Sequence, residues 1–245
     1  MKLSYFLLLS IMLTKVCFSQ EKSSTKTFPD ITLLNKIQFY DTSLNQSKFA
    51  CGFLLKYNGD SFAITAKHII KVIKPATMTT LSFGTVIKEW SLFPLEKQNE
   101  QLVTDTLINE DKTQLLEDKS TYNDDWLIFS IKSNQTNVKA LEVRTTALIP
   151  GEKLYVIGWT RKMESGPQRV YEFEYHKTIK KRILLKDIIV PEQFGGLSGA
   201  PVVDEQGKVV GIVSNGTVDP ENGKKYFSPC TLDGLISFID KMKRH

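Results

Sequence analysis

Residues 195–216, GGLSGAPVVDEQGKVVGIVSNG, decide how the rest of the chain is interpreted. Ser198 stands between glycines, and two short apolar runs separated by a D-E-Q-G turn follow it. Short apolar runs joined by turn residues predict a β-hairpin. Glycines around a serine suit either a tight turn or a nucleophile whose neighbouring N–H groups bind an oxyanion. The content and order of the other segments decide between the two.

Short strand-like segments separated by turns continue through the chain from Phe28 onward. Asn58-Gly59 lies between two apolar runs and is a strong hairpin signal. Residues 169–178 alternate apolar and polar side chains, whereas residues 110–124 are polar and predict a surface loop. Only residues 232–243 have apolar side chains at the spacing that predicts a helix. The sequence therefore predicts an all-β sandwich or barrel with a C-terminal helix.

The N-terminus, MKLSYFLLLSIMLTKVCFSQ, has the form of a secretory signal peptide. Lys2 precedes a short apolar stretch, and small residues at 17 and 19 predict cleavage before Gln20. The apolar stretch is too short to span a bilayer. We expect residues 1–19 to be removed, residues 20–27 to form a disordered leader, and the protein to be secreted or periplasmic. Lipid attachment at Cys17 is the alternative, although its preceding residues do not favour it.

Composition excludes several function classes. The chain is 41% hydrophobic, and its net charge of +5 falls to about +3 without Lys2 and Lys15. That charge is scattered and indicates neither nucleic-acid binding nor, with no long apolar segment, a membrane span. No Cys/His spacing suggests a metal site, and no cofactor is implied. Cys51 and Cys230 are either a disulfide or buried free thiols, and the oligomeric state stays open.

Three stretches together carry the chemistry: I-T-A-K-H at 64–68, D-D-W-L-I-F at 124–129 and G-L-S-G-A-P-V-V at 196–203. A serine hydroxyl needs an adjacent base, and a histidine can take its proton and return it. A carboxylate fixes the histidine tautomer and stabilises the imidazolium. Asp124 and Asp125 compete for the third role, and both precede the apolar run at 126–129. The candidates are therefore His68, Ser198 and one of these two aspartates.

In this order and spacing, the three stretches resemble the chymotrypsin-like (trypsin-fold) serine proteases. The divergent bacterial type related to the high-temperature-requirement proteases is the most similar. The resemblance spans essentially the whole mature chain, residues 28–245. It implies two six-stranded antiparallel β-barrels, at about 28–140 and 141–231, followed by the helix at 232–243.

The resemblance also implies a set of roles. The acid of the family is followed by an apolar run in a register that Asp125 fits better than Asp124, so the triad would be His68, Asp125 and Ser198. His68 and the acid would come from the first barrel and Ser198 from the second, with the N–H groups of Gly196 and Ser198 as an oxyanion hole. The expected function is a secreted serine endopeptidase that cleaves protein or peptide substrates through an acyl-enzyme. The expected residues of the substrate pocket are Phe194, Gly195, Val213, Ser214, Asn215 and Gly216.

Departures from the family leave other interpretations open. Lys67 stands where alanine is common, Ala200 where glycine is common, and Leu197 replaces the acidic residue that zymogen-type enzymes pair with a new N-terminus. No aspartate is evident at the base of the pocket, so cleavage after basic residues is not expected. The alternative function is a catalytically idle protein of the same fold that acts as an extracellular binding module.

Overall fold

Two closed β-barrels and a C-terminal helix make up the part of the chain that the computed structural model describes, residues 23–119 and 123–244. The predicted signal peptide and residues 20–22 lie outside that part. The helices are a 3₁₀ turn (Thr42–Leu44), α1 (His68–Ile73) and α2 (Asp233–Met242). The strands are β1 (Thr32–Phe39), β2 (Gln46–Tyr57), β3 (Asp60–Thr65), β4 (Thr80–Leu81), β5 (Ile87–Phe93), β6 (Leu102–Leu107), β7 (Asp111–Leu115), β8 (Leu127–Asn134), β9 (Leu141–Glu142), β10 (Lys153–Gly158), β11 (Arg169–Ile179), β12 (Arg182–Ile189), β13 (Pro201–Val203), β14 (Val209–Ile212), β15 (Thr217–Val218), β16 (Lys225–Tyr226) and β17 (Cys230–Thr231).

Each barrel has six antiparallel strands. The first has the order β1-β5-β6-β8-β3-β2 and closes through β1 and β2, with β9 added in parallel beside β2. The second closes in the order β10-β11-β12-β17-β14-β13. The prediction of two six-stranded barrels with a C-terminal helix is therefore confirmed.

The core has three parts, and the two-residue period of a strand explains how one segment serves two of them. Along β2, Leu54 packs inside the first barrel, whereas Phe53 and Leu55 face the contact between the barrels. The second barrel encloses its own cluster, which includes Tyr171 and Phe173. The contact cluster also takes in Leu235 and Ile239 of α2, so the terminal helix packs where the barrels meet.

Strand pairing brings distant segments to the same barrel ends. In the first barrel Thr65, the last residue of β3, pairs with Leu127, the first of β8. The residues after Thr65 and before Leu127 therefore lie side by side. In the second barrel Pro201 pairs with Ile212, which places the Ser198 segment beside the residues that follow β14.

Two segments differ from what their composition suggested. The leader residues Ser23 and Ser24 dock on β11, where Ser24 N–H donates to the Val170 carbonyl at 2.7 Å and its hydroxyl to Glu172 at 2.9 Å. Within the polar stretch 110–124, residues 111–115 form β7, which pairs with β4 rather than remaining a loop. Among the described helices, none is both long and apolar enough to cross a membrane.

Candidate active site

His68 opens α1 at the point where β3 ends. Its backbone N–H donates to Asp125 Oδ1 at 2.7 Å, and its Nδ1 lies 2.7 Å from Asp125 Oδ2. The imidazole is held at two points by one carboxylate, and its side chain remains 15% exposed. Since Nδ1 faces an acceptor, the proton belongs on Nδ1, and Nε2 is left as the basic nitrogen.

Asp125 is fully buried just before β8. Burial acts to raise the pKa of Asp125, but hydrogen bonds from His68 and from the Ser214 hydroxyl outweigh it and hold that pKa below its usual value. Cys230 is buried nearby, and burial raises the pKa of its thiol, so it stays protonated at neutral pH. Asp125 is therefore ionised and fixed in place.

Ser198 comes from the second barrel and meets His68 across the cleft. Its Oγ lies 2.8 Å from His68 Nε2. The structure thus brings the three candidate residues into one hydrogen-bonded line. Asp124, the competing acid, points elsewhere and forms an ion pair with Lys181 at 2.6 Å.

A hydrogen bond across the barrels holds the Ser198 loop. The Cys51 N–H of β2 donates to the Ser198 carbonyl at 2.8 Å. The Cys51 carbonyl in turn accepts hydrogen bonds from Thr65 Oγ1 at 2.6 Å and from Asn35 Nδ2 at 2.9 Å. The serine is therefore hydrogen-bonded to β2, which pairs with β3, and His68 follows shortly after β3 in the chain.

The backbone around Ser198 turns two N–H groups away from the protein. The Gly195 carbonyl accepts from Arg161 N–H at 2.7 Å, and the Leu197 carbonyl accepts from Ala200 N–H at 2.8 Å. A trans peptide directs its C=O and N–H to opposite sides, so the N–H groups of Gly196 and Ser198 face away from those partners. Among the described residues, neither N–H donates to a protein acceptor. Both are free for a ligand oxygen.

A cavity of about 510 Å³ opens beside Ser198. Five of the six predicted pocket residues line it: Phe194, Gly195, Ser214, Asn215 and Gly216. The exception is Val213, whose side chain is 2% exposed and packs in the second-barrel core. Val213 was expected in the pocket, but its backbone pairs with Gly199 and Ala200 as in a β-ladder. This pairing turns its side chain into the core.

The cavity also has walls that sequence inspection missed. They are Asp187 of β12 and the segment Lys225, Tyr226 and Phe227. Phe227 stacks on Phe194 with ring centroids 4.7 Å apart. Pairing of β12 with the segment that leads into β17, including the bridge between Leu185 and Phe227, brings these residues together.

Comparison with known proteins agrees with this arrangement. The family model described as "Trypsin" matches residues 35–232, which is most of the chain. The chain belongs to the trypsin family. No curated protein sequence matches it.

Two solved structures illustrate how the trypsin-family fold is retained at low sequence identity. One, titled "Structure of GrC", is 17% identical, with a TM-score of 0.61 over 92% of this chain and 99% of the other. The second is neuropsin, a serine protease expressed in the limbic system of mouse brain. It is 14% identical, with a TM-score of 0.61 over 91% of this chain and 99% of the other. At these identities the likeness concerns the fold alone.

Within the trypsin family, the departures at Leu197 and the cysteines have packing explanations. Leu197 is fully buried in the core cluster that contains Cys51. Cys51 and Cys230 are both free and buried, so the disulfide alternative does not hold in this structure. Burial raises the pKa of Cys51 to about 12, so its thiol stays protonated. Within residues 23–119 and 123–244, no group of three or more His, Cys, Asp or Glu is arranged to hold a metal.

We expect Gly199→Ala to destabilise the protein severely. Gly199 has φ +81°, and a Cβ there would overlap the Cys51 carbonyl oxygen and lie 2.5 Å from Thr65 Oγ1. Strain and overlap together predict a loss of roughly 3 kcal/mol or more in the free energy of unfolding. Chemical denaturation measures it. Gly195→Ala is the matched control, because its Cβ would meet nothing within 4 Å; equal stability of the two variants would contradict the expectation.

Proposed function

We propose that this protein is a secreted serine endopeptidase that cleaves peptide bonds through a Ser198–His68–Asp125 triad. The observation that carries the proposal is the pair of hydrogen bonds from Ser198 to His68 at 2.8 Å and from His68 to Asp125 at 2.7 Å. These side chains come from both barrels and lie far apart in sequence. Such a line is what activates a serine hydroxyl as a nucleophile.

The reaction follows from the position of each atom. Ser198 Oγ attacks the scissile carbonyl while His68 Nε2 accepts the hydroxyl proton. Asp125 Oδ2 stabilises the imidazolium that results, and the imidazolium then protonates the leaving amine. Water hydrolyses the acyl-enzyme with the same histidine as base. The N–H groups of Gly196 and Ser198 form the oxyanion hole that stabilises the negative charge on the attacked carbonyl oxygen.

The pocket beside Ser198 takes the side chain that precedes the scissile bond. Its aromatic wall of Phe194 and Phe227 suits a large side chain with apolar surface. Asp187 adds a carboxylate, and burial raises the pKa of Asp187. Asp187 is nevertheless an exposed residue and shares the cavity wall with Lys225, so its attraction for a basic side chain is a screened surface interaction. The absence of an evident acid in the sequence therefore no longer argues against cleavage after basic residues.

We expect Asp187→Asn to lower kcat/KM by at most about fivefold for peptides cleaved after arginine or lysine, because the amide keeps the shape and loses the charge of an exposed carboxylate. Peptides cleaved after phenylalanine or leucine should change little. The measurement is kcat/KM for matched peptides that differ only in the residue before the scissile bond. Equal effects on both peptide classes would show that Asp187 does not select the substrate.

Covalent labelling separates the endopeptidase from an idle binding module of the same fold. An organofluorophosphonate reacts with a serine hydroxyl only where a base activates it. We expect native protein to gain one phosphonyl group on Ser198, located by mass spectrometry of its peptides. Folded protein that resists the probe and cleaves no peptide in a diverse library would favour the binding module.

Export and subtype belong to the same proposal. The signal-peptide pattern at residues 1–19 supports a location outside the cytoplasm, where a protease meets extracellular or periplasmic proteins. The I-T-A-K-H and G-L-S-G-A-P-V-V stretches support a place near the high-temperature-requirement type within the trypsin family.

A further inference from the structure

Lys67, the residue before His68, is buried although it carries a charge. Its exposure is 3%, which is rare for lysine. Its Nζ donates to Gln114 Oε1 of β7 at 3.3 Å and lies 5.7 Å from the centre of the Trp126 ring. Burying an ammonium costs free energy unless other groups compensate it. Other groups must therefore offset the free-energy cost of burying the Lys67 ammonium.

Nearby carboxylates, including that of Asp125, offset part of the cost of burying Lys67. Burial lowers the pKa of Lys67, and the charges of Asp125, Asp124 and Asp111 act in the opposite direction. The Gln114 oxygen and the face of the Trp126 ring are both partners that an ammonium prefers, and they favour the charged form of Lys67. Lys67 directly precedes His68 and packs against the ring of Trp126, the residue after Asp125, so a buried positive charge lies near the His68–Asp125 pair.

We propose that Lys67 is a positioning residue that sets the pH range in which His68 serves as a base. It touches no substrate and acts through Asp125. The inference rests on the proposed function, because His68 must be the base of the reaction for this range to matter.

The direction follows from charge. Protonation of His68 places a second cation beside Asp125, and Lys67 repels it through a low-dielectric interior. Lys67 therefore favours neutral imidazole, which keeps His68 available as a base at lower pH. Removing the ammonium lets Asp125 stabilise the imidazolium fully. The acid limb of the pH profile then moves to higher pH.

Other charged and titratable groups face this region from the elements packed around it. Lys181, in the turn between β11 and β12, is paired with Asp124 at 2.6 Å. Burial raises the pKa of the Cys230 thiol of β17, which therefore adds no charge at neutral pH, and Arg182 of β12 lies close enough to act against that rise. Lys71 and Lys74 of α1 are paired with the exposed Glu117. None of these groups replaces Lys67 as a buried cation next to the triad acid.

The test compares Lys67→Met, which keeps the length of the side chain without its charge, with Lys67→Arg, which keeps the charge. Lys71→Met is the matched control, because this lysine is one turn along α1 with its side chain 43% exposed. Two quantities are measured on full-length protein: the acid limb of kcat/KM against pH, and the His68 titration by NMR. The chain has three histidines, so the His68 signals can be assigned through His68→Gln.

We expect the His68 titration midpoint and the acid limb to rise by about half to one pH unit in Lys67→Met. Lys67→Arg and Lys71→Met should remain at the native values. An unchanged or lower midpoint in Lys67→Met, or an equal rise in Lys67→Arg, would overturn the inference. Lys67→Gln takes the place of the methionine variant if that variant does not fold.

The NMR titration keeps this inference separate from the proposed function. A folded native protein that hydrolyses no peptide and resists the fluorophosphonate contradicts the protease. The midpoints of native protein and Lys67→Met still decide whether Lys67 controls His68. Conversely, an active protease with identical midpoints in both forms retains its function and loses only the role of Lys67.

Discussion

Replacing Ser198 with alanine is expected to reduce kcat/KM for peptide hydrolysis by about four to six orders of magnitude. The substitution removes the only oxygen that lies within hydrogen-bonding distance of His68 Nε2 among the described residues. His68 and Asp125 stay in place because their contacts with each other do not involve the serine. The residual rate reflects the oxyanion-binding N–H groups and substrate binding alone.

The measurement is steady-state hydrolysis of a peptide identified from library cleavage, together with fluorophosphonate labelling and thermal unfolding. Ser61→Ala is the matched control, an exposed serine of β3 remote from the cleft. Ser198→Ala should unfold within a few degrees of native protein, since it loses one partly exposed hydrogen bond. A folded Ser198→Ala variant with native activity would show that another group is the nucleophile.

The residues alone predicted an all-β sandwich or barrel with a C-terminal helix, because turn signals, two-residue alternation and helical spacing are local. The two six-stranded barrels came from the resemblance of the three motifs to the trypsin fold, and the structure confirms them. The same reasoning favoured Asp125 over Asp124 by its register before an apolar run. The structure places Asp125 beside His68 and Asp124 beside Lys181.

What the sequence did not reveal depends on long-range pairing or burial. Asp187 enters the pocket because β12 runs beside the segment before β17, which no spacing indicates. Ser214 had a signal that could have been used. Ser214 follows β14, which pairs with the strand after Ser198, so its contact with the triad could have been predicted from the hairpin. Strand β7 was missed because its side chains are largely exposed and polar, and backbone pairing alone defines it.

Asp125→Asn is expected to lower kcat/KM about 10,000-fold at neutral pH while leaving the fold intact. The reason lies in which atom each oxygen meets. Asp125 Oδ1 accepts the His68 backbone N–H, and that position must keep an acceptor. The amide oxygen of asparagine therefore takes the place of Oδ1, and its NH₂ group faces His68 Nδ1. His68 must then carry its proton on Nε2, where it can no longer take the proton of Ser198.

Asp124→Asn is the matched control, an identical change one residue away. Asp124 forms a partly exposed ion pair with Lys181, and such pairs contribute at most about 1 kcal/mol. Its kcat/KM should stay within about threefold of native protein. NMR adds a structural readout, because the Nδ1 proton of His68 should be lost in Asp125→Asn and retained in Asp124→Asn. A larger loss of activity in Asp124→Asn than in Asp125→Asn would mean that the hydrogen bonds to His68 do not carry the catalytic role, and that the charge beside Lys181 does.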